Sequence, residues 1–346
     1  MLLNQGYRAR GFADPVTPCS KGAAPGRNAA AERIRTAFHD MAPGNAIART
    51  GGLDASIMFE FGGDNPGPGF PTTLTSNVPF FSSRSSMADL IAFGVYTAVR
   101  ACGGPIVSMK GGRVDATERG NSGVPQPQNS LFTFQNQFQR MGFNPAEMIA
   151  LVACGHSLGA VHTANFPLLV PAGSTPGGYQ EFDTTAVDAP AFDSKIASEY
   201  VAGTTKDALV VGPSVARRQN SDGVVFGSDG NVTIRAMADP ATFKSRCSTL
   251  LQRMVELVPS ATTLTDVIVP YDVKPAALQL DLIQGGDTIS FSGEIRVRTT
   301  TRAASQIGSV RLAYKDRSGG AGGTITTAVK GAASGFDDTF TVSVHA

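Results

Sequence analysis

The sequence predicts a mainly α-helical domain over residues 1–258, followed by a small all-β antiparallel sandwich over 259–346. Three observations carry this prediction. Helix-forming runs dominate up to Val258, two of them opened by capping signatures, Ser86-Met87-Ala88-Asp89 and Asn144-Pro145-Ala146-Glu147. Beyond Val258-Pro259 the pattern changes to alternation of apolar and polar residues between Gly, Ser and Asp turns. A chain of 346 residues also exceeds one typical domain.

The first helical run begins near Asn28 and Ala29 and contains Arg33-Ile34-Arg35-Thr36-Ala37-Phe38-His39-Asp40. On a helix Arg35, Phe38 and His39 fall at i, i+3 and i+4 and share one face, so a cation, an aromatic wall and a titratable base line one pocket. Asp40 is rotated by about 100° from His39 and points behind that pocket. The chain then loosens through Gly51-Gly52-Leu53-Asp54-Ala55-Ser56, where carboxylate, carbonyl and hydroxyl oxygens at alternate positions suit a hard cation such as calcium. A solvated polar turn is the competing reading, and Asp40 on the back of the helix tips the balance toward the ion. Glu60 and Asn65 follow. The run 87–101 carries an apolar stripe of Leu90, Phe93 and Ala98, and 131–141 repeats Leu131, Phe134, Phe138 and Met141 at helical spacing; both read as core packing. The helix opened at Asn144 runs through Cys154-Gly155 into His156-Ser157.

Past residue 258, the alternating stretches are 278–283, 288–291, 294–298, 309–314, 324–329 and 339–344, the signature of a small antiparallel sandwich. Its one histidine, His345, stands at the chain end and suggests no catalytic centre. A net charge of +1, with 16% charged residues and no cluster of Lys or Arg, leaves no electrostatic footprint for nucleic acid or acidic membranes. No apolar run approaches the roughly 18 to 20 residues that span a bilayer, and Met1-Leu2-Leu3-Asn4-Gln5-Gly6 lacks the regions of a signal peptide. The four cysteines fit either redox compartment. Cys154 and Cys247 read equally as a bridge or as two buried thiols.

The ordered pair of histidine contexts, Arg35-Thr36-Ala37-Phe38-His39-Asp40 and Gly155-His156-Ser157, resembles the distal and proximal helices of the plant/fungal haem peroxidase superfamily, its secreted fungal branch in particular, over residues 15–255. The resemblance implies a two-lobed helical fold around haem b and a secreted enzyme that uses hydrogen peroxide to oxidise small one-electron donors of phenol or dye type. It implies that His156 ligates iron and donates its other N–H to an aspartate. Asp222, in Gln219-Asn220-Ser221-Asp222, is preferred over its rival Asp229, which then supplies the family's further aspartate. Phe182 would pack beside the proximal imidazole. On the distal side His39 is the acid–base group, Arg35 stabilises developing charge, Phe38 shapes the pocket, Asn65 accepts the His39 N–H and Glu60 supports the set. Two calcium ions are implied: a distal one on Asp40, the Gly52 carbonyl, Asp54 and Ser56, and a proximal one on Ser157, Asp183, Thr185 and Asp193. A longer spacing between Asp183 and Asp193 than in the family leaves the backbone ligands unassigned and makes Asp188 a substitute. A Cys19–Cys102 bridge is implied as well.

The absence of tryptophan removes the surface radical relay of lignin-oxidising relatives. Of the three acids that manganese-oxidising relatives use, Glu32 fits one by spacing, while Asn28 and His162 stand in the other two places, so a general phenol or dye donor is left by elimination. Two rival readings differ in class. Gly155-His156-Ser157-Leu158-Gly159 also matches the Gly-x-Ser-x-Gly elbow of α/β-hydrolases, but the histidine such enzymes need well downstream is offered only by His162 and His345. A non-catalytic haem or calcium scaffold, with a β-domain contacting cell wall or matrix, has no need of Arg35 and His39 together.

Overall fold

The computed structural model describes residues 11–187, 189–287, 289–315, 318–334 and 339–345; Asp188, the substitute calcium ligand, and Thr288, which opens a predicted strand, lie outside the described residues. The chain divides into two compact units, one spanning Phe12–Ile268 and the other carrying the strands that follow.

The first unit is helical. Its order is α1 (Ala29–Met41), α2 (Gly69–Asn77), α3 (Met87–Ala101), α4 (Leu131–Arg140) and α5 (Pro145–Gly155), then a short antiparallel ribbon of β1 (Ala160–His162) and β2 (Tyr179–Glu181). After it come α6 (Lys195–Ala202), α7 (Pro213–Ala216), α8 (Ser221–Phe226), α9 (Val232–Met237) and α10 (Pro240–Glu256). Side-chain caps set the starts. Asn28 accepts the Ala31 N–H at 2.9 Å and Ser86 that of Asp89 at 3.0 Å, while Asn144 and Glu147 close a full capping box. Asp239 caps α10 with Pro240 in its first turn.

The inner face of α1 buries Ala30, Ile34, Ala37 and Met41, and the helix packs on α2 and α3, while α5 packs on α10. Arg33, buried on that helix, is accepted there because its guanidinium is satisfied: it donates to Thr97 Oγ1 and to the Phe12 carbonyl, each at 2.9 Å, and lies 4.5 Å over the Phe12 ring. Two disulfides brace the unit. Cys19–Cys102 ties the segment before α1 to the end of α3, and Cys154–Cys247 joins α5 to α10, which resolves the open alternative for those two residues in favour of a bridge. Residues 259–268, beyond the change of sequence character, remain on this unit: Ser260 donates to the Arg49 carbonyl, Thr265 to Gly111 and Ile268 to Met109.

The second unit contains β3 (Val273–Leu282), β4 (Ile289–Arg298), β5 (Arg311–Lys315), β6 (Ala321–Thr326), β7 (Ala328–Ser334) and β8 (Thr339–His345). They form an antiparallel sheet in the order β3-β4-β8-β7 and a β5-β6 hairpin. Two predicted stretches merge into β4 because the interruption at Gly293 is a close approach and not a turn. A side chain there would meet Leu278 at 2.4 Å, and a bulge between Ala276 and Gln279 absorbs the mismatch opposite. The stretch 324–329 is instead divided, since its first half pairs with β5 and its second with β8.

Replacing Cys154 and Cys247 together with alanine is expected to cost about 2–5 kcal/mol of stability, because the bridge closes a loop across a sequence separation of 93 residues. Denaturant unfolding of the variant alongside wild type measures this; coincident midpoints would contradict it.

Candidate active site

Helices α1 and α5 contribute opposite walls of a cavity of about 360 Å³. Arg35, Phe38 and His39 enter it from α1, His156 from the end of α5, and Phe138, Leu151 and Leu251 provide apolar lining.

On the α1 side, His39 Nδ1 lies 2.8 Å from Asn65 Oδ1. Asn65 is 4% exposed and its amide Nδ2 donates to the Glu60 carbonyl at 3.0 Å, which turns Oδ1 toward the imidazole. The Nδ1 position therefore carries the proton and Nε2 is the basic nitrogen available to the cavity. Glu60 is held by the Gly120 N–H at 2.7 Å and supports Asn65 through its backbone carbonyl, with its side-chain carboxylate at the outer limit of contact, 3.5 Å. Burial, and next the charge of Arg35, push the His39 imidazole well below the usual histidine range, against a smaller upward effect of the Asn65 bond. Arg35 donates to the Pro66 carbonyl at 3.2 Å and lies 4.3 Å over the Phe70 ring. Burial lowers its pKa to about 10, so it stays cationic at neutral pH. A neutral base thus sits beside a fixed cation.

His156 caps the C-terminus of α5, and its Nδ1–H donates to Asp222 Oδ2 at 2.5 Å. Asp222 is 1% exposed in the first turn of α8 and also accepts from Ser221 Oγ at 3.1 Å. The Phe182 ring stacks on the imidazole at 4.3 Å and 4°. Asp229 is occupied otherwise, accepting the Thr233 N–H at 3.0 Å at the start of α9. With Nδ1 engaged, Nε2 of His156 is left for the cavity.

Among the described residues no group of three or more Asp, Glu, His or Cys side chains is arranged to hold a metal ion. Asp40, buried, accepts the N–H groups of Asp54, Ala55 and Ile57 at 2.8–3.0 Å, and Asp54 accepts that of Ser56 at 3.1 Å. Burial raises the Asp40 pKa to about 8. Gly52, at φ +116°, passes so close to the Leu257 carbonyl that a Cβ would stand 2.4 Å from it, which is why glycine is required there. On the other side Asp183 Oδ1 accepts from Thr185 N and Oγ1 at 2.8 and 3.1 Å, whereas Oδ2 is buried with no partner. Burial raises the Asp183 pKa to about 7, with the charges of Asp193 and Glu199 adding to it. Asp193 accepts the Lys195 N–H at 2.9 Å. Ser157, wholly buried, donates to the Cys154 carbonyl at 3.0 Å. That position, after a helix and away from solvent, excludes a hydrolase elbow.

Four features were not read from sequence. Phe70 packs 4.9 Å from the His39 ring as well as under Arg35, from a helix whose sequence carries no distinguishing motif. Glu32 is ion-paired with Arg27, both lining the cavity, and His162 donates from Nε2 to the Gly26 carbonyl at 3.0 Å. Asp207 is buried behind Asp222.

The sequence profile of the peroxidase family matches residues 19–207, more than half of the chain. The chain belongs to the peroxidase family. It is 55% identical, over 91% of its length and 44% of the relative's, to a WSC domain-containing protein of Arthroderma benhamiae. It is 32% identical to the peroxisomal L-ascorbate peroxidase 5 of Arabidopsis thaliana over 39% of this chain and 50% of that protein. Identity is 40% to the mitochondrial cytochrome c peroxidase of Yarrowia lipolytica over 23% of this chain and 24% of that one. The chain thus spans half or less of these relatives. Membership implies haem, and the cavity fits one: apolar walls, and a histidine whose second ring nitrogen is held by a buried carboxylate, the arrangement that orients and strengthens an axial ligand.

The balance of charges around His39 is testable by NMR titration of its ring. Its pKa is expected below the usual histidine value, rising in Arg35→Leu, which removes a repelling charge, and falling further in Asn65→Leu, which removes the acceptor of the imidazolium N–H. A wild-type value at or above 6.5 would contradict this account.

Proposed function

We propose that the chain is a haem peroxidase, reducing hydrogen peroxide at the expense of small one-electron donors. The observation that carries this reading is the pair of histidines lining one cavity from opposite helices, each with Nδ1 engaged, by Asn65 and by Asp222, so that both offer Nε2 to the same space. Haem b, when bound, supplies the iron and the redox capacity for O–O cleavage. His156 Nε2 would hold the metal, and Asp222, by drawing on the Nδ1 proton, would make the imidazole a stronger electron donor. His39 Nε2 takes the proton of peroxide and returns it to the departing oxygen. The Arg35 guanidinium stabilises negative charge as that bond breaks, and Phe38 limits the space above it. Donors of phenol or dye type are supported by elimination: the chain has no tryptophan, Glu32 is paired with Arg27, and neither Asn28 nor His162 is an acid.

We further assign calcium to both flanks. The proximal assignment draws on the partnerless buried Asp183 Oδ2, beside Thr185, Asp193 and the Ser157 segment, which a hard cation would satisfy. The distal assignment draws on the Gly52-Leu53-Asp54-Ala55-Ser56 pattern beside Asp40, although the Asp40 carboxylate itself is taken up by three backbone N–H groups. A location outside the cell is supported by the pairing of all four cysteines in disulfides. Among the described residues no helix is long and apolar enough to cross a membrane.

Two experiments test these assignments. In the haem-loaded protein, His156→Ala should abolish or displace the Soret band, and His39→Ala should keep it while slowing the peroxide step by roughly 10²- to 10⁴-fold in stopped flow; wild-type spectra and rates in these variants would refute the reading. Exhaustive chelation should release calcium and lower activity before global unfolding, the proximal variant Asp183→Ala reproducing more of the loss than Asp54→Ala. Metal analysis that finds no calcium would refute the assignment and leave the haem reading intact.

A further inference from the structure

Asp207 is completely buried. It opens a turn in which its carbonyl accepts the Val210 and Val211 N–H groups, and the Leu209 carbonyl accepts the Gly223 N–H at 3.1 Å, which clamps this turn to the first turn of α8 beside Asp222. Asp207 Oδ1 accepts the Leu209 N–H at 2.8 Å, but Oδ2 is buried without a hydrogen-bond partner. That clamp sets the Asp207 carboxyl beside the Asp222 carboxyl, near enough for the charge of one to act on the other. Asp222 already accepts from His156 Nδ1 and from Ser221 Oγ, so it has no hydrogen to offer in return. Two bare carboxylates side by side inside a protein repel strongly and lack solvent, and a single proton on the one with the empty oxygen removes both costs. Burial, followed by the charge of Asp222, pushes the Asp207 carboxyl well above the usual carboxylate range.

We propose that Asp207 is a positioning residue for the proximal histidine: in its neutral form it donates its O–H to Asp222, fixing that carboxylate and moderating how strongly it draws on the His156 Nδ1 proton. The consequence for iron rests on the reading of His156 as its ligand; the shared proton does not. If Asp222 lost this donor, it would accept more strongly from His156, the imidazole would become a stronger electron donor, and the ferric state would be favoured.

The test uses the full-length, haem-loaded protein and two variants. Infrared difference spectroscopy should find the C=O stretch of a neutral carboxylic acid in wild type and its loss in Asp207→Asn. The introduced side-chain amide donates in place of the O–H, so the ferric/ferrous potential of this variant should stay close to wild type, whereas Asp207→Leu, which donates nothing, should shift it to a more negative value. Absence of the acid band in wild type, or its persistence in Asp207→Asn, would overturn the proposal. So would a positive shift in both variants, the result of removing an anion, or a potential unmoved in Asp207→Leu. Should Asp207→Leu fail to fold, the infrared comparison with Asp207→Asn decides alone. Failure of the iron-ligand reading would register separately, as a wild-type Soret band retained in His156→Ala while the acid band behaves as expected.

Discussion

An imidazole can offer one nitrogen to a reaction in a defined protonation state only if its other nitrogen is held, and the helical unit is built around meeting that condition twice. The holders differ in a way that divides the labour. Asn65 is a neutral acceptor, so His39 remains an uncharged base whose proton affinity is set by enclosure and by Arg35. Asp222 is a carboxylate, so the proton on His156 is drawn toward it and the opposite nitrogen becomes more basic toward a metal. Exchanging the two partners would put a charged acceptor on His39 and a neutral one on His156.

Each holder has to be held in turn, and the structure does this with main-chain groups and short turns. Asn65 is oriented by the Glu60 carbonyl, and Glu60 by the Gly120 N–H. Asp222 sits in a helix start tied by Gly223 to the turn that carries Asp207. The histidine helices are fixed from behind by the residues that follow the histidines in sequence: Asp40 gathers the 54–57 loop through three N–H groups, and Ser157 bonds back to the Cys154 carbonyl beside a disulfide. These groups are buried, where a lost partner costs more than at the surface. Small displacements of either helix are therefore opposed by several bonds at once.

Much of the helical unit was legible in the sequence because its signals are local. Capping residues announce helix starts within one turn, and the i, i+3, i+4 relation of Arg35, Phe38 and His39 places them on one face before any tertiary contact is known. The β unit was less legible. Alternation locates apolar and polar faces but not partners, so the Gly293 interruption read as a break although β4 runs through it, and 324–329 read as one strand although it serves two.

By itself the sequence determined the helices, the residues on each face, and the two histidine contexts with their neighbouring oxygens, since all of these depend on spacing along the chain. Only the tertiary structure decided between Asp222 and Asp229, closed Cys154 onto Cys247, brought Phe70 under Arg35 and set Asp207 beside Asp222. Those choices depend on distances between segments far apart in sequence, where two aspartates in similar settings differ in nothing except which one the folded backbone carries to the imidazole.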